Sequence, residues 1–495
     1  ITKKSHSLQH IARSQAARNC FMDVLCAQKN QERLLRQMHE CTILERIIPD
    51  FGHISSQMQY DMYHVYTTDD HTLRAIGLLN GIERGLLRDR FPIASQTMTK
   101  IKMRRALYLA VFLHDIAKGR GGSHSEIGAQ IAYKIGPQLG LSSYETQIVA
   151  WLVLHHLAMS NVAFKRDLDD MKTIDDFADL VQTTEKLSLL LCLSVCDIAT
   201  VGPKVWTSWK ADLLRGLYKR TLSKLNGDIP EHSHVVYQKR EAFNNYAKQH
   251  TIKQSRYFLK VSPAAQFVAF SLEELAQQCA LIEIAYQNPK GVFAIDFTLN
   301  EQCETLDMQV FSHDHANLME IISAAIAHHG GEVINARIST FSDSTIFDHF
   351  VIDNRDRRWM DLNKQSQLKQ TIENALFDNL AIKEHPYENA IQSRYDTFKI
   401  EPSVIINNHA SAMSTLVEIT CRNRHALLLT LTRALSRAHL RINFARIATY
   451  GEEAVDVFYV KDIYGQKLYH RERIQHLKKT LLEALSAGKD LCQRT

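Results

Sequence analysis

The feature that most constrains this chain is an internal repeat. From Thr305 the sequence runs "TLDMQVFSH", "ANLMEIISAAIAHHGG", "EVINARIST" and "TIFDHFVID". Alternating apolar residues mark three strands, and three-to-four spacing marks the helix between the first two. From Ser414 the same order returns as "STLVEITCRN", "HALLLTLTRALSRAHL", "RINFARIATYG" and "EAVDVFYVKD". Strand, helix, strand, strand, written twice, specifies a duplicated α+β module. Between the copies, "IEPSVIINNHASA" reads as a linker entering the second one.

Up to about Asn300 the pattern is different. "QERLLRQMHECTILERIIPDF", stopped by Pro49, "HTLRAIGLLNGIERGLL", "KMRRALYLAVFLHDIAK", "YETQIVAWLVLHHLAM" and "TEKLSLLLCLSVCDIAT" all carry the helical period. "WTSWKADLLRGLYKRTLSKL" extends it to about Leu225, and "IPEHSH" reads as a loop. A chain of 495 residues is too long for one core, and domain sizes point to about three or four units. With 45% hydrophobic and 23% charged residues the composition is that of a soluble globular protein.

A net charge of +5 gives no reason to expect a nucleic-acid partner. The nine cysteines include no CxxC pair, which favours reduced thiols and a cytoplasmic location. Cys192 and Cys196 share a helix face and read as packing residues. The longest apolar run, Leu187–Val195, falls short of the roughly 18 residues a membrane span needs. The first residues are polar and basic, unlike a signal peptide, and Ile1 in place of methionine points to a trimmed or internal start.

Polar residues then stand where helices should be apolar. His71 heads one helix, His114-Asp115 ends "VFLHD", His124 opens the next, His155-His156 ends "LVLHH", and Asp197 ends "LSVCD". Any one of these, in a chain with 24 histidines, reads as an ordinary hydrogen-bonded residue. As an ordered series on successive helix ends they read as a divalent-metal cluster. Nitrogen and oxygen donors without cysteine suit Mg²⁺ or Mn²⁺, with Fe²⁺ also accommodated, and two such ions can engage both non-bridging oxygens of a phosphate ester.

The series H…HD…H…HH…D resembles the HD superfamily of metal-dependent phosphohydrolases. More closely, "MQYDMYHVYTTDDHTLRAIG", "LHDIAKGRGGSHSEIGA", "LVLHHLAMS", "VWTSWKADLLRGLY" and "RIATYGEEAVDVFYVKDIYGQKL" resemble the bacterial PII uridylyltransferase/uridylyl-removing enzymes. The likeness extends over essentially the whole chain. It implies a multidomain protein: an all-α HD-type phosphohydrolase domain followed by two α+β ACT domains of βαββαβ, ferredoxin-like order. The expected boundaries are a helical segment at 1–50, the HD domain at 51–235, a connector at 236–300, ACT domains at 301–395 and 408–495, and a linker at 396–407.

Carried over by position, the resemblance implies His71, His114, Asp115 and Asp197 as metal ligands. It adds His124 and His155 at a second metal position and His156 as a further candidate. Lys118, one turn past His114, would meet the negative charge of a phosphate. Asp115 and Lys118 are the expected catalytic pair, and a uridylylated PII signalling protein is the expected substrate.

Two departures bear on activity and control. The family's transferase region carries a Gly-Ser turn and an Asp-x-Asp pair; no residue before Phe51 reads as that motif, so this stretch is expected to lack uridylyl transfer. Amino-acid-binding ACT loops carry Pro-Gly after the first strand. Here His315-Ala316 and His425-Ala426 stand near those places, so glutamine binding should be weak or confined to one site. Two other readings stay open from the sequence: an HD hydrolase of a free nucleotide such as a guanosine alarmone, and a non-catalytic ACT regulator.

Overall fold

The computed structural model describes residues 14–490 apart from 56–65, 203–204, 228–231, 264–265, 268–269, 316–317, 379–381, 383–399, 425 and 451–452. Two compact units emerge, one from residues 1–163 and 174–228, the other from 164–173 and 229–495.

The first unit is helical, as its period requires. It is built from α1 (Gln15–Leu25), α2 (Gln31–Glu40), α3 (Ile43–Ile47), α4 (Phe51–Ile54), α5 (Thr68–Glu83), α6 (Pro92–Met98) and α7 (Arg104–Leu113). Then come α8 (His124–Ile135), α9 (Ser143–His155), α10 (Ala158–Lys165), α11 (Met171–Val181), α12 (Thr184–Thr200) and α13 (Ser208–Leu225). Helix α7 is buried on every side from Ala106 to Leu113, so it is the central post of the bundle. Helices α8 and α9 approach closely at Gly128, where a Cβ would lie 2.9 Å from Val153 Cγ1. Cys192 and Cys196 are buried in α12, and burial pushes the Cys192 thiol up to about 12, which suits a packing role.

Among the described residues, one helical stretch, Ser143–Lys165, is long and apolar enough to cross a membrane by length and composition. Half of its apolar window is buried inside the protein, as a core helix would be, and its midpoint carries the two adjacent histidines.

The second unit begins with α14 (His232–Gln249), α15 (Ser255–Val261) and α16 (Leu272–Gln287). Helix α14 takes in residues His232–His234, at the end of the stretch expected to be a loop. The first repeat follows as β1 (Phe293–Asn300), β2 (Thr305–His313), α17 (Leu318–His328), β3 (Val333–Thr340), β4 (Thr345–Asp353) and α18 (Leu362–Phe377). The second is β5 (Ser403–Asn407), β6 (Thr415–Arg422), α19 (Leu427–Arg437), β7 (Leu440–Tyr450), β8 (Glu453–Asp462) and α20 (Arg471–Asp490).

The eight strands of the described residues form one antiparallel sheet in the order β1-β2-β4-β3-β7-β8-β6-β5. The two repeats join through β3 and β7, with Ala336 opposite Ala445. Residues equivalent in the two copies therefore meet at the middle of the sheet. A single apolar core lies beneath α17, α18, α19 and α20, running from Leu306 and Phe350 to Phe458 and Leu481.

The expected βαββαβ order is corrected here. Among the described residues the edge strand of each copy precedes the module, giving ββαββα. Strand β1 lies in the expected connector and β5 in the expected linker. Each pairs by hairpin with the strand that follows it, Ile295 opposite Val310 and Ile405 opposite Glu418. A hairpin from the N-terminal side covers the same sheet edge that a final strand would have covered.

Candidate metal centre

The site is assembled from helix ends. His114 and His156 each directly follow a helix, α7 and α9, and each turns its ring back on it. His114 Nδ1 donates to the Val111 carbonyl at 2.8 Å, and His156 Nδ1 donates to the Val153 carbonyl at 2.8 Å. Those carbonyls are among the last of their helices, which have no partner within the helix. The bond commits Nδ1–H and turns Nε2 into the core.

His71 is fixed in the same sense by another helix. Thr200 Oγ1, on α12, gives its own proton to the Cys196 carbonyl at 2.7 Å and lies 3.3 Å from His71 Nδ1. The hydroxyl therefore accepts from Nδ1–H, and Nε2 of His71 also faces inward.

These nitrogens converge on two carboxylates. His71 Nε2 and His114 Nε2 lie 3.2 Å apart. Asp197 Oδ1 is 3.2 Å from the former and 3.6 Å from the latter. Asp115 offers one oxygen to each side: Oδ2 is 3.7 Å from His114 Nε2, while Oδ1 is 3.7 Å from His124 Nε2 and 3.8 Å from His156 Nε2. His124 Nε2 and His156 Nε2 are 3.4 Å apart. Two triads result, His71–His114–Asp115 and Asp115–His124–His156, with Asp115 common to both.

The electrostatics follow from burial and crowding. Burial alone would lower His114, but the carboxylates of Asp115 and Asp197 prevail and raise it to about 9. Burial and the neighbouring His114 depress His156 to about 4. Burial also lowers His124. Against the penalty of burial, His114 and Lys118 with His156 hold Asp115, and His114 with His71 hold Asp197, below the usual carboxylate range. Two ionised carboxylates amid buried imidazole nitrogens, their tautomers set from behind, form the donor set of a divalent cation. The residues fit the group.

The structure brings together His71, His114, Asp115, His124, His156 and Asp197. It does not bring in His155, and here the expectation is corrected. His155 packs its ring against Trp151 at 5.1 Å, and burial together with Lys186 lowers its pKa. His156 is the member that reaches the centre. The helical period alone does not choose between them: Ile148, Val149, Ala150, Leu152 and Val153 are all buried on α9, so both 155 and 156 continue a buried row, and it is His156 that the fold buries. Lys118 lies at the rim, its Nζ 2.8 Å from Asp115 Oδ2.

The second unit holds a different pair of features. Asp348 on β4 and Asp456 on β8 occupy equivalent places in the two repeats. Both are buried, and among the described residues Oδ1 of each has no hydrogen-bond partner. Burial raises Asp348 well above its ordinary value and Asp456 to about 7. Asp348 lines a cavity of about 560 Å³ with Asp314, His315, His439 and Arg441. Asp456 lines one of about 70 Å³ with Arg424 and Ala426. Ala426 has φ +56°, a left-handed conformation that glycine takes without strain. Ala316 and His425 lie outside the described residues.

Comparison with known proteins agrees with both units. The HD domain family model matches residues 68–200, and that of the ACR family N-terminal ACT domain matches 410–487. The chain is 40% identical over 474 residues to a bifunctional uridylyltransferase/uridylyl-removing enzyme of Rhodospirillum rubrum, which is 94% of this chain and 50% of that protein. Proteins of the same name from Azospirillum brasilense and Novosphingobium aromaticivorans are 40% and 41% identical, over 95% and 96% of this chain and 51% and 52% of theirs. The chain spans about half the length of these relatives. It thus contains an HD domain followed by an ACT domain and is similar, along nearly all its length, to half of a bifunctional uridylyltransferase/uridylyl-removing enzyme.

Proposed function

We propose that this chain is a cytoplasmic phosphodiester hydrolase that removes UMP from a uridylylated PII protein. The observation that carries the reading is Asp115, which offers one carboxylate oxygen to each of two histidine triads. Such a carboxylate suits two divalent ions, Mg²⁺ or Mn²⁺. When bound, the ions would supply Lewis-acid polarisation of the phosphate and an activated water.

The protein's own part follows from the geometry. His71, His114 and Asp197 would hold one position, His124 and His156 the other, and Asp115 both. The carbonyls of Val111 and Val153 and the hydroxyl of Thr200 keep the rings oriented. Lys118 stands where its ammonium can meet the charge that builds on the phosphate oxygens. Burial of His71, His114, Asp115 and His156 keeps bulk water from the inner side of the centre, while His124 and Asp197 stay partly exposed.

Control belongs to the paired repeats. The larger cavity, with Asp348, has the volume of a small-molecule site, and the smaller does not. Glutamine would therefore occupy one site per chain, through its ammonium group at Asp348.

The test is release of UMP from uridylylated PII by the full chain with added Mn²⁺. The reading requires release that is lost in Asp115→Ala with helicity retained. Release unaffected by that substitution, or hydrolysis of a free guanosine nucleotide in its place, would overturn it.

A further inference from the structure

The residues before Asp50 fall outside the stretch that the HD family model matches, at 68–200. One of them nonetheless touches the helix that delivers His71 and is linked, through Phe51, to the helix that precedes His114. His39, in the last turn of α2, has Nδ1 2.6 Å from Glu45 Oε1 and Nε2 2.9 Å from Asp69 Oδ2. Asp69 is buried in the first turn of α5, two residues before His71. The same imidazole stands edge-on to Phe51, ring centroids 5.5 Å apart at 83°. Phe51 in turn stacks on Phe112 at 5.0 Å and 13°. Phe112 lies two residues before His114.

The start of α5 needs such support. Its N-cap, Thr67, makes no side-chain capping bond. The first turn is held from α2 instead: Arg36 bonds both Glu32 and Asp70, and Glu32 fills the space where Gly77 has no Cβ. His39 adds the only one of these links that also continues, through two rings, to the helix carrying His114.

We propose that His39 is a positioning residue for the metal centre, setting α5 against α7 so that the Nε2 atoms of His71 and His114 face one another. The inference rests on the metal reading of the site. It assigns to the segment ahead of the HD domain a share in metal affinity and not only in packing. Groups behind a ligand shell typically change metal affinity by about 10–100-fold.

The experiment is calorimetric titration of the full chain with Mn²⁺, beside thermal unfolding without metal. His39→Ala should weaken Mn²⁺ binding about tenfold, at the low end of that range. His39→Gln, which still offers an N–H to Asp69, should recover most of the loss even if its Tm stays low. Affinity that follows Tm across both variants would reduce His39 to packing and overturn the proposal, as would wild-type affinity in a folded His39→Ala. Should His39→Ala not fold, Phe51→Leu severs the aromatic arm alone: weakened Mn²⁺ binding supports the link, and unchanged binding refutes it. Metal affinity is read without substrate, so failure of UMP release would leave this result standing.

Discussion

His71 Nε2 and His114 Nε2 face each other across 3.2 Å in the interior of the helical unit. Each ring is bonded from behind, by Thr200 and by the Val111 carbonyl. Two inward-facing ring nitrogens beside the Asp197 carboxylate can share a proton or a cation, and the two compete.

That competition is measurable. His114 is raised to about 9 without metal, and its Nδ1–H is committed to Val111, so the titrating position is Nε2. At pH 7 the nitrogen carries a proton that a metal ion must displace. Metal affinity should therefore rise by about tenfold per pH unit between about pH 7 and 9, then level off as the proton is lost from the free protein. His156, at about 4, contributes no such proton. Titrations at one pH in buffers of differing ionisation enthalpy should show release of about one proton; heats independent of buffer would contradict this.

The two adjacent histidines should separate cleanly. His156→Ala removes a buried member of the second triad and should lower Mn²⁺ uptake to one ion per chain. His155→Ala removes a ring packed at a tilt against Trp151 and should leave uptake unchanged. Metal analysis after gel filtration decides it, and a greater loss from His155→Ala would reinstate the expectation drawn from the sequence.

Lys118→Met tests charge at the rim. Removing a cation placed to meet a developing phosphorane should cost roughly 2–4 kcal/mol of barrier, or about 30–1000-fold in kcat. Because Lys118 also neutralises Asp115, Mn²⁺ should bind the variant at least as tightly as the native chain. Unchanged turnover would return Lys118 to a surface ion pair.

Glutamine, added to the full chain in a calorimeter, should occupy one site, and Asp348→Ala should abolish it while Asp456→Ala does not. The unequal cavities, about 560 and 70 Å³, are the reason. Two tight sites would show that the smaller cavity opens on binding.

Much of this architecture was legible in the sequence because it rests on period and order. The helical half, the repeated strand-helix-strand-strand unit and the ligand series all show in the spacing of apolar residues. What escaped was set by tertiary pairing. "VFAIDFTL" and "SVIIN" are short alternating runs, and only the sheet shows them to be edge strands. The choice between His155 and His156 was not readable from the period, because α9 buries Ile148 and Leu152 as well as Val149 and Val153, and both histidines continue a buried row. His39 gave no signal, since its partners, Glu45, Asp69 and Phe51, converge only after three short helices fold back.

The central claim is that His71, His114, Asp115 and Asp197, with His124 and His156, form a two-ion centre. Anomalous diffraction from crystals of the full chain grown with Mn²⁺ tests it most directly. The account predicts two peaks, one bonded to His71, His114 and Asp197, the other to His124 and His156, with Asp115 reaching both. No ordered ion at these residues, or Mn²⁺ bound elsewhere with the cluster left to its own hydrogen bonds, would contradict it.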